Sequence, residues 1–159
     1  MKDMKIFVVV SVSIFLSVIG CTDNEIELTN RTYSIENDTD FIVDVKFYNK
    51  IDNGLNNQTS KILNSRGEIL AKQIQKIPVN NFSKELPTSA FIADSVKVII
   101  NENKFFTFTY DFDDDTFSEP INRNIFRHSN YENLGDERYL FKITQQDYEN
   151  AEDCNGNCD

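Results

Sequence analysis

Tryptophan is absent from this chain, and histidine occurs once, as His128. Without tryptophan, a flat side chain on which sugars commonly stack is missing, which weighs against sugar binding and sugar cleavage. A single histidine confines any histidine-based nucleophile pair to His128, which stands in a polar stretch beside Arg127 and Ser129 and is expected to be exposed. A glycosidase needs only two carboxylates, but no acidic pair is singled out by its spacing. The five glycines are scattered, so there is no phosphate-cradling loop. Cations are scarce as well: Lys and Arg number 16 against 26 Asp and Glu, a net charge of −10. That balance argues against binding along a nucleic-acid backbone, which needs a basic face. It also argues against charge-driven adsorption to an anionic lipid surface. Cations, basic proteins and neutral polymers stay open as partners. The longest apolar run, Ile6–Ile19, has about fourteen residues, short of the roughly 20 that cross a bilayer as a helix.

The flanks of that run say what it is. Lys2 and Lys5 precede it and small residues close it, the pattern of a secretory signal. Its end, Val18-Ile19-Gly20-Cys21, resembles the lipobox of bacterial lipoproteins. The resemblance implies that the Cys21 thiol receives a diacylglyceryl group, that the chain is cut before Cys21 and that the new amine is acylated, palmitate being a typical chain. Each buried methylene contributes about 0.8 kcal/mol, so one acyl chain holds marginally and two or three hold stably. The alternative is an ordinary secretory signal with Cys21 as a structural thiol. Cutting after residue 20 leaves 139 residues, one ordinary domain. Lys2, Lys5 and Asp3 leave together, so the mature net charge is −11. The acidic Thr22-Asp23-Asn24-Glu25 resembles the surface-export signal of lipoproteins from the Bacteroidetes group, which implies an outward-facing position.

Cys154 and Cys158 form a C-x3-C near the end of the chain. In an exported protein this spacing is expected to close as a disulfide, with Asn155-Gly156-Asn157 supplying the left-handed turn conformations. Free thiols and a metal site are the alternatives, the latter lacking two further soft ligands nearby.

Between these ends the sequence alternates. Tyr33 and Ile35 share a face, as do Phe41, Val43, Val45 and Phe47, and the turn formers Asn37-Asp38-Thr39-Asp40 lie between. The spacing predicts a hairpin there. A second hairpin is expected from Thr59–Leu63 and Glu68–Ile74 about Asn64-Ser65-Arg66-Gly67, with a helix over 68–75 as the alternative. A third joins Ser95–Ile100 to Lys104–Tyr110 about Asn101-Glu102-Asn103. Lys50–Gln58 reads as an exposed loop, and Pro78–Ser89, with Pro87, as irregular. Ile121–Phe126 reads as a short strand or turn. Arg138–Ile143 reads as a last strand. A helix follows from Gln145 to Ala151, opened by a capping box from Thr144 to Asp147 and covering one end of the core with Tyr148 and Ala151.

This pattern predicts an all-β fold: a single antiparallel β-sandwich, immunoglobulin-like or similar, with a short C-terminal helix. The expected organisation is a signal peptide at 1–20, lipidated cysteine and acidic tether at 21–30, the sandwich at 31–152 and a Cys-containing tail at 153–159. The order of parts resembles small uncharacterised lipoproteins of the Bacteroidetes group, through Asp94-Ser95-Val96 and the closing Asp147-Tyr148-Glu149-Asn150-Ala151. That resemblance implies a sandwich and an exported location, and no functional residue beyond Cys21.

Two stretches offer chemistry. Asp111, Asp113, Asp115 and Glu119 present hard oxygens of the kind calcium prefers. The helix–loop–helix calcium pattern needs Gly sixth and Glu twelfth, and Thr116 and Asn122 stand there, so only a weaker, looser calcium site is open to them. The alternative is a solvated acidic turn. Asp94-Ser95-Val96 matches a short O-glycosylation pattern of the same group, against which a plain strand start is preferred. No other cofactor is expected. The expected function is non-enzymatic: a lipid-anchored protein of the bacterial outer membrane, on the cell surface rather than the periplasmic face, touching an envelope protein or glycan. A carboxylate-based hydrolase and an accessory subunit of an outer-membrane complex are the alternatives. Lys50–Gln58, Asp111–Pro120 and His128–Asp136 are the expected contact loops.

Overall fold

Every second side chain from Arg31 to Asn37 is buried, and those between are part-exposed, so one face of this strand belongs to a core. In the computed structural model, which describes residues 27–51, 54–79 and 85–158, that strand is β1 (Leu28–Asp38). The signal segment, Cys21 and tether residues 22–26 lie outside the described residues. The strand begins at Leu28, three residues ahead of the expected domain start.

The fold is an all-β sandwich of two sheets with short helices. β1 is followed by β2 (Val43–Ile51), β3 (Gly54–Leu63) and β4 (Glu68–Pro78). Helix α1 (Glu85–Phe91) leads to β5 (Ser95–Ile100), β6 (Lys104–Asp111) and the two-residue β7 (Thr116–Phe117). A 3₁₀ turn (His128–Asn130), β8 (Glu132–Asn133), β9 (Arg138–Thr144), α2 (Gln145–Asn150) and β10 (Glu152–Asp153) complete it. One sheet has the order β4-β1-β9-β8; the other is β10-β6-β5-β2-β3, with β7 beside β6. All pairings are antiparallel except β1 with β9, which run parallel.

The first two expected hairpins are not hairpins. β1 pairs with β4 from Leu28↔Pro78 to Asn37↔Glu68, and β2 pairs with β3 from Val43↔Leu63 to Ile51↔Gly54. Residues 28–78 are one long antiparallel ribbon, bent so that its outer half lies in one sheet and its inner half in the other. The turn formers at 37–40 and 64–67 are the two bends. Asn37 locks them: its buried amide donates to the carbonyls of Phe41, Leu63 and Asn64, at 2.8, 3.2 and 2.8 Å, and its Oδ1 accepts from the Thr39 amide and hydroxyl. The Arg66 and Gly67 amides donate to Thr39 and Asn37 carbonyls. Gly67 has φ of +86°, which favours glycine there. The segment expected as loop Lys50–Gln58 is the end of β2 and the start of β3, with residues 52–53 outside the described residues.

The third hairpin, β5–β6, is present in the expected register. Val96, Val98 and Ile100 face Phe106, Phe108 and Tyr110 in the core, and Phe108 meets Phe141 of the other sheet edge to face. Pro87 falls in the first turn of α1, where its missing N–H would have no partner within the helix anyway, so the segment is helical rather than irregular. Phe91 of α1 stacks on Phe47. The capping box of α2 forms as expected, and Tyr148 and Ala151 close the core beneath Phe41. Ile121–Phe126 is a turn rather than a strand, with Ile125 and Phe126 fully buried.

The two ends of the sandwich differ. The bends, the β5–β6 turn and α2 share one end. The start of β1, helix α1, the β6–β7 turn and the β8–β9 turn share the other. β1 alone, with 11 residues, separates them by about 35 Å.

Candidate functional site

Alternation places Ile42, Asp44 and Lys46 on the outer face of β2, where water would favour polar side chains. Yet Ile42 is 56% exposed and Ile62, on β3, is 60% exposed. Asp44 lies between Ile62 and Ile99 in the sheet register. These side chains, with Lys46 and Glu102, line a shallow groove of about 340 Å³. Its lining mixes these isoleucines with two acids and one base, with Lys46 Nζ 3.9 Å from Asp44. Sequence reasoning missed this surface. The available signal was isoleucine at positions out of phase with the buried set.

The C-terminal tail forms one wall. Cys154 and Cys158 are joined as a disulfide with Cα atoms 4.8 Å apart, as the C-x3-C spacing predicts. The Cys154 amide donates to the Asn103 carbonyl, and the Cys158 sulfur lies 3.3 Å from the Glu102 carbonyl. Gly156, Asn157 and Cys158 therefore lie over the outer face of β5, where Ile99 is only 6% exposed. β10 pairs with β6, so residues 152–158 belong to the sandwich rather than trailing from it.

A polar and aromatic cluster fills the opposite end of the core. Arg31 is fully buried on β1 and paired to Glu137 at 2.5 Å, and its guanidinium also lies over the Tyr139 ring. The Tyr33 hydroxyl lies 2.7 Å from His128 Nδ1. Burial disfavours the imidazolium, and the charge of Arg31 adds to this, so His128 is held below its ordinary value. The Tyr33 hydroxyl and the neutral ring share one hydrogen bond, whose donor is set by the ring tautomer. Burial pushes the Tyr33 phenol up to about 12 despite the pull of Arg31. Burial also holds Tyr131 well above its usual range, and its hydroxyl donates to the Ile125 carbonyl. The expectation of an exposed His128 is corrected: the ring is half-buried because Tyr33 and Tyr139 pack against it edge-on. The cluster plugs this end of the core, with burial disfavouring the charged forms of its phenols and of its histidine.

The four calcium candidates sit in the β6–β7 turn and beyond. The Asp111 carboxylate accepts from the Asp113 and Asp114 amides, and Asp115 accepts from the Tyr110 hydroxyl. Glu119 pairs with Arg127 at 3.0 Å. Among the described residues no group of three His, Cys, Asp or Glu is arranged to hold a metal ion. Ser95, in the glycosylation pattern, is 3% exposed and out of reach of modification. Two other acids are buried. Asp147 takes the Thr144 amide and hydroxyl and pairs with Arg123. Asp94 stands where its backbone joins β2 to β6, through Tyr48 and Tyr110. Among the described residues no helix is long and apolar enough to cross a membrane.

Fold and site thus define an all-β sandwich with a groove on an outer sheet face. Scans against protein-family models, curated proteins and solved structures return no match for this chain.

Proposed function

We propose that this protein is a non-enzymatic binding module of the bacterial envelope, held on the outer membrane by acyl chains at Cys21 and facing the cell surface. The groove at Ile42, Ile62 and Ile99 is its contact surface. The single observation that carries the reading is the pair of half-exposed isoleucines on a sheet face that alternation assigns to water. The groove lies at the bend end, across the sandwich from Leu28, where the tether enters. It therefore sits on the sheet face toward the end opposite Leu28. Asp44 and Glu102 in its lining, on a chain of net −11 after cleavage, favour a polypeptide that brings aliphatic side chains and positive charge. An accessory subunit of an outer-membrane complex would use the same surface.

A photo-crosslinking side chain at Ile62, used on intact cells, tests this. An adduct is expected at Ile62 and not at Ile69, an exposed isoleucine on the other sheet, and Ile42→Ser with Asp44→Asn should abolish it. Equal adducts at both positions, or none at either, would contradict the reading.

A further inference from the structure

Seven large apolar side chains are exposed among the described residues. Ile42, Ile62 and Ile69 lie toward the bend end. The other four, Leu28, Ile92, Phe112 and Leu134, lie at the opposite end, where the tether joins the domain, and are 53%, 65%, 55% and 42% exposed. Leu28 opens β1. Ile92 follows α1. Phe112 tips the β6–β7 turn, and Leu134 the β8–β9 turn. Ile92 and Phe112 border one hollow with Asn49, Thr88, Ser89 and Ala93. Ile92 also has φ of +54°, a left-handed conformation that a β-branched residue resists. Strain on a side chain that buries little of itself serves the fold poorly, and such strain gathers at contact sites.

Only residues 22–27 separate Cys21 from Leu28. Fully extended, that stretch reaches at most about 25 Å. An acylated Cys21 therefore keeps this end of the sandwich next to the lipid surface. We propose that the end is a second, non-covalent membrane contact, in which Leu28, Ile92, Phe112 and Leu134 enter the interfacial layer around the anchor. The inference rests on acylation of Cys21, as proposed above. The flanking charges set the lipid chemistry. Asp111, Asp113 and Asp114 surround Phe112, and Asp136 follows Leu134. The contact therefore suits a zwitterionic headgroup layer, and an anionic one weakens it unless salt screens the repulsion.

The absence of tryptophan makes the test direct. F112W and I92W each place a single indole at the proposed contact, and I62W places one at the far end. The acylated proteins are reconstituted into phosphatidylcholine vesicles with plain or brominated acyl chains, which quench an indole only on close approach. At least twofold quenching of F112W and I92W is expected, with I62W unchanged. Equal emission of F112W and I92W in the two vesicles overturns the contact, and so does matching quenching of I62W. Intact mass of the same preparations separates the two levels. Missing acyl mass overturns the anchor, whereas acylated protein without quenching overturns the contact alone. Far-UV circular dichroism confirms that each variant is folded before it is compared, and the paired positions keep the test decisive if one is lost.

Discussion

Asn37 ties the two bends of the ribbon together. Its buried side chain satisfies three carbonyls and two donors at the bends of the ribbon, the Phe41 and Asn64 bonds being part-buried. Asn37→Ala would strand these groups, and a loss of about 3 kcal/mol is expected. Urea unfolding should show a lower midpoint at unchanged slope. The Arg31–Glu137 pair behaves alike: Arg31 is fully buried, so Glu137→Ala removes an ion-pair partner from a buried guanidinium and should cost about 3 kcal/mol in the same assay. His128 adds a pH term. Its ordinary value is 6.5, and burial first, then Arg31, lowers it in the folded protein while Glu137 opposes them. Above 6.5 the ring is neutral in both states, and this contribution to stability is complete. As pH falls below 6.5 the unfolded chain takes up the proton first, and stability declines until pH passes the folded value. The urea midpoint should fall with acidification over that window, and His128→Gln should flatten the part of the slope that His128 supplies.

At the level of elements, alternation marked parts of the longer strands and left their neighbours open. A period of two tells which residues share a face, not which strand lies alongside. Asn37–Asp40 and Asn64–Gly67 have hairpin-turn composition, yet they are bends between sheets, because the β2–β3 hairpin lies beyond them. The Asn53-Gly54 dipeptide marked that hairpin, but the polar residues around it read as a loop. The β5–β6 hairpin and the α2 capping box were legible because each is complete within a short stretch. The groove was only half legible. Ile42 and Ile62 are visibly out of phase, but Ile99 and the tail meet them through pairings that sequence does not reveal. The disulfide was legible from spacing, and its role was not. It closes a five-residue loop, so the chain-entropy effect is small and reduction should cost only about 2 kcal/mol. What reduction should change is local. Hydrogen exchange is expected to quicken at the Cys154 amide while the β5–β6 core stays protected. Uniform loss of protection would mean that the tail supports the whole sheet.

At the scale of the molecule, the proposed acylation would give the sandwich an anchored end and a far end that carries the groove. A charge of −11 after the proposed cleavage favours solubility, so the proposed attachment falls to Cys21. Cys21→Ser should move the protein from the membrane pellet to the soluble fraction, because the apolar contact at Phe112 and Ile92 cannot replace acyl chains. The most direct test of the central claim is the intact mass of the mature protein taken from the membranes of the cells that make it. The account predicts a chain that begins at Cys21 and carries the added mass of a diacylglyceryl group and an amide-linked acyl chain. A chain that retains residues 1–20, or one with an unmodified Cys21, would contradict it.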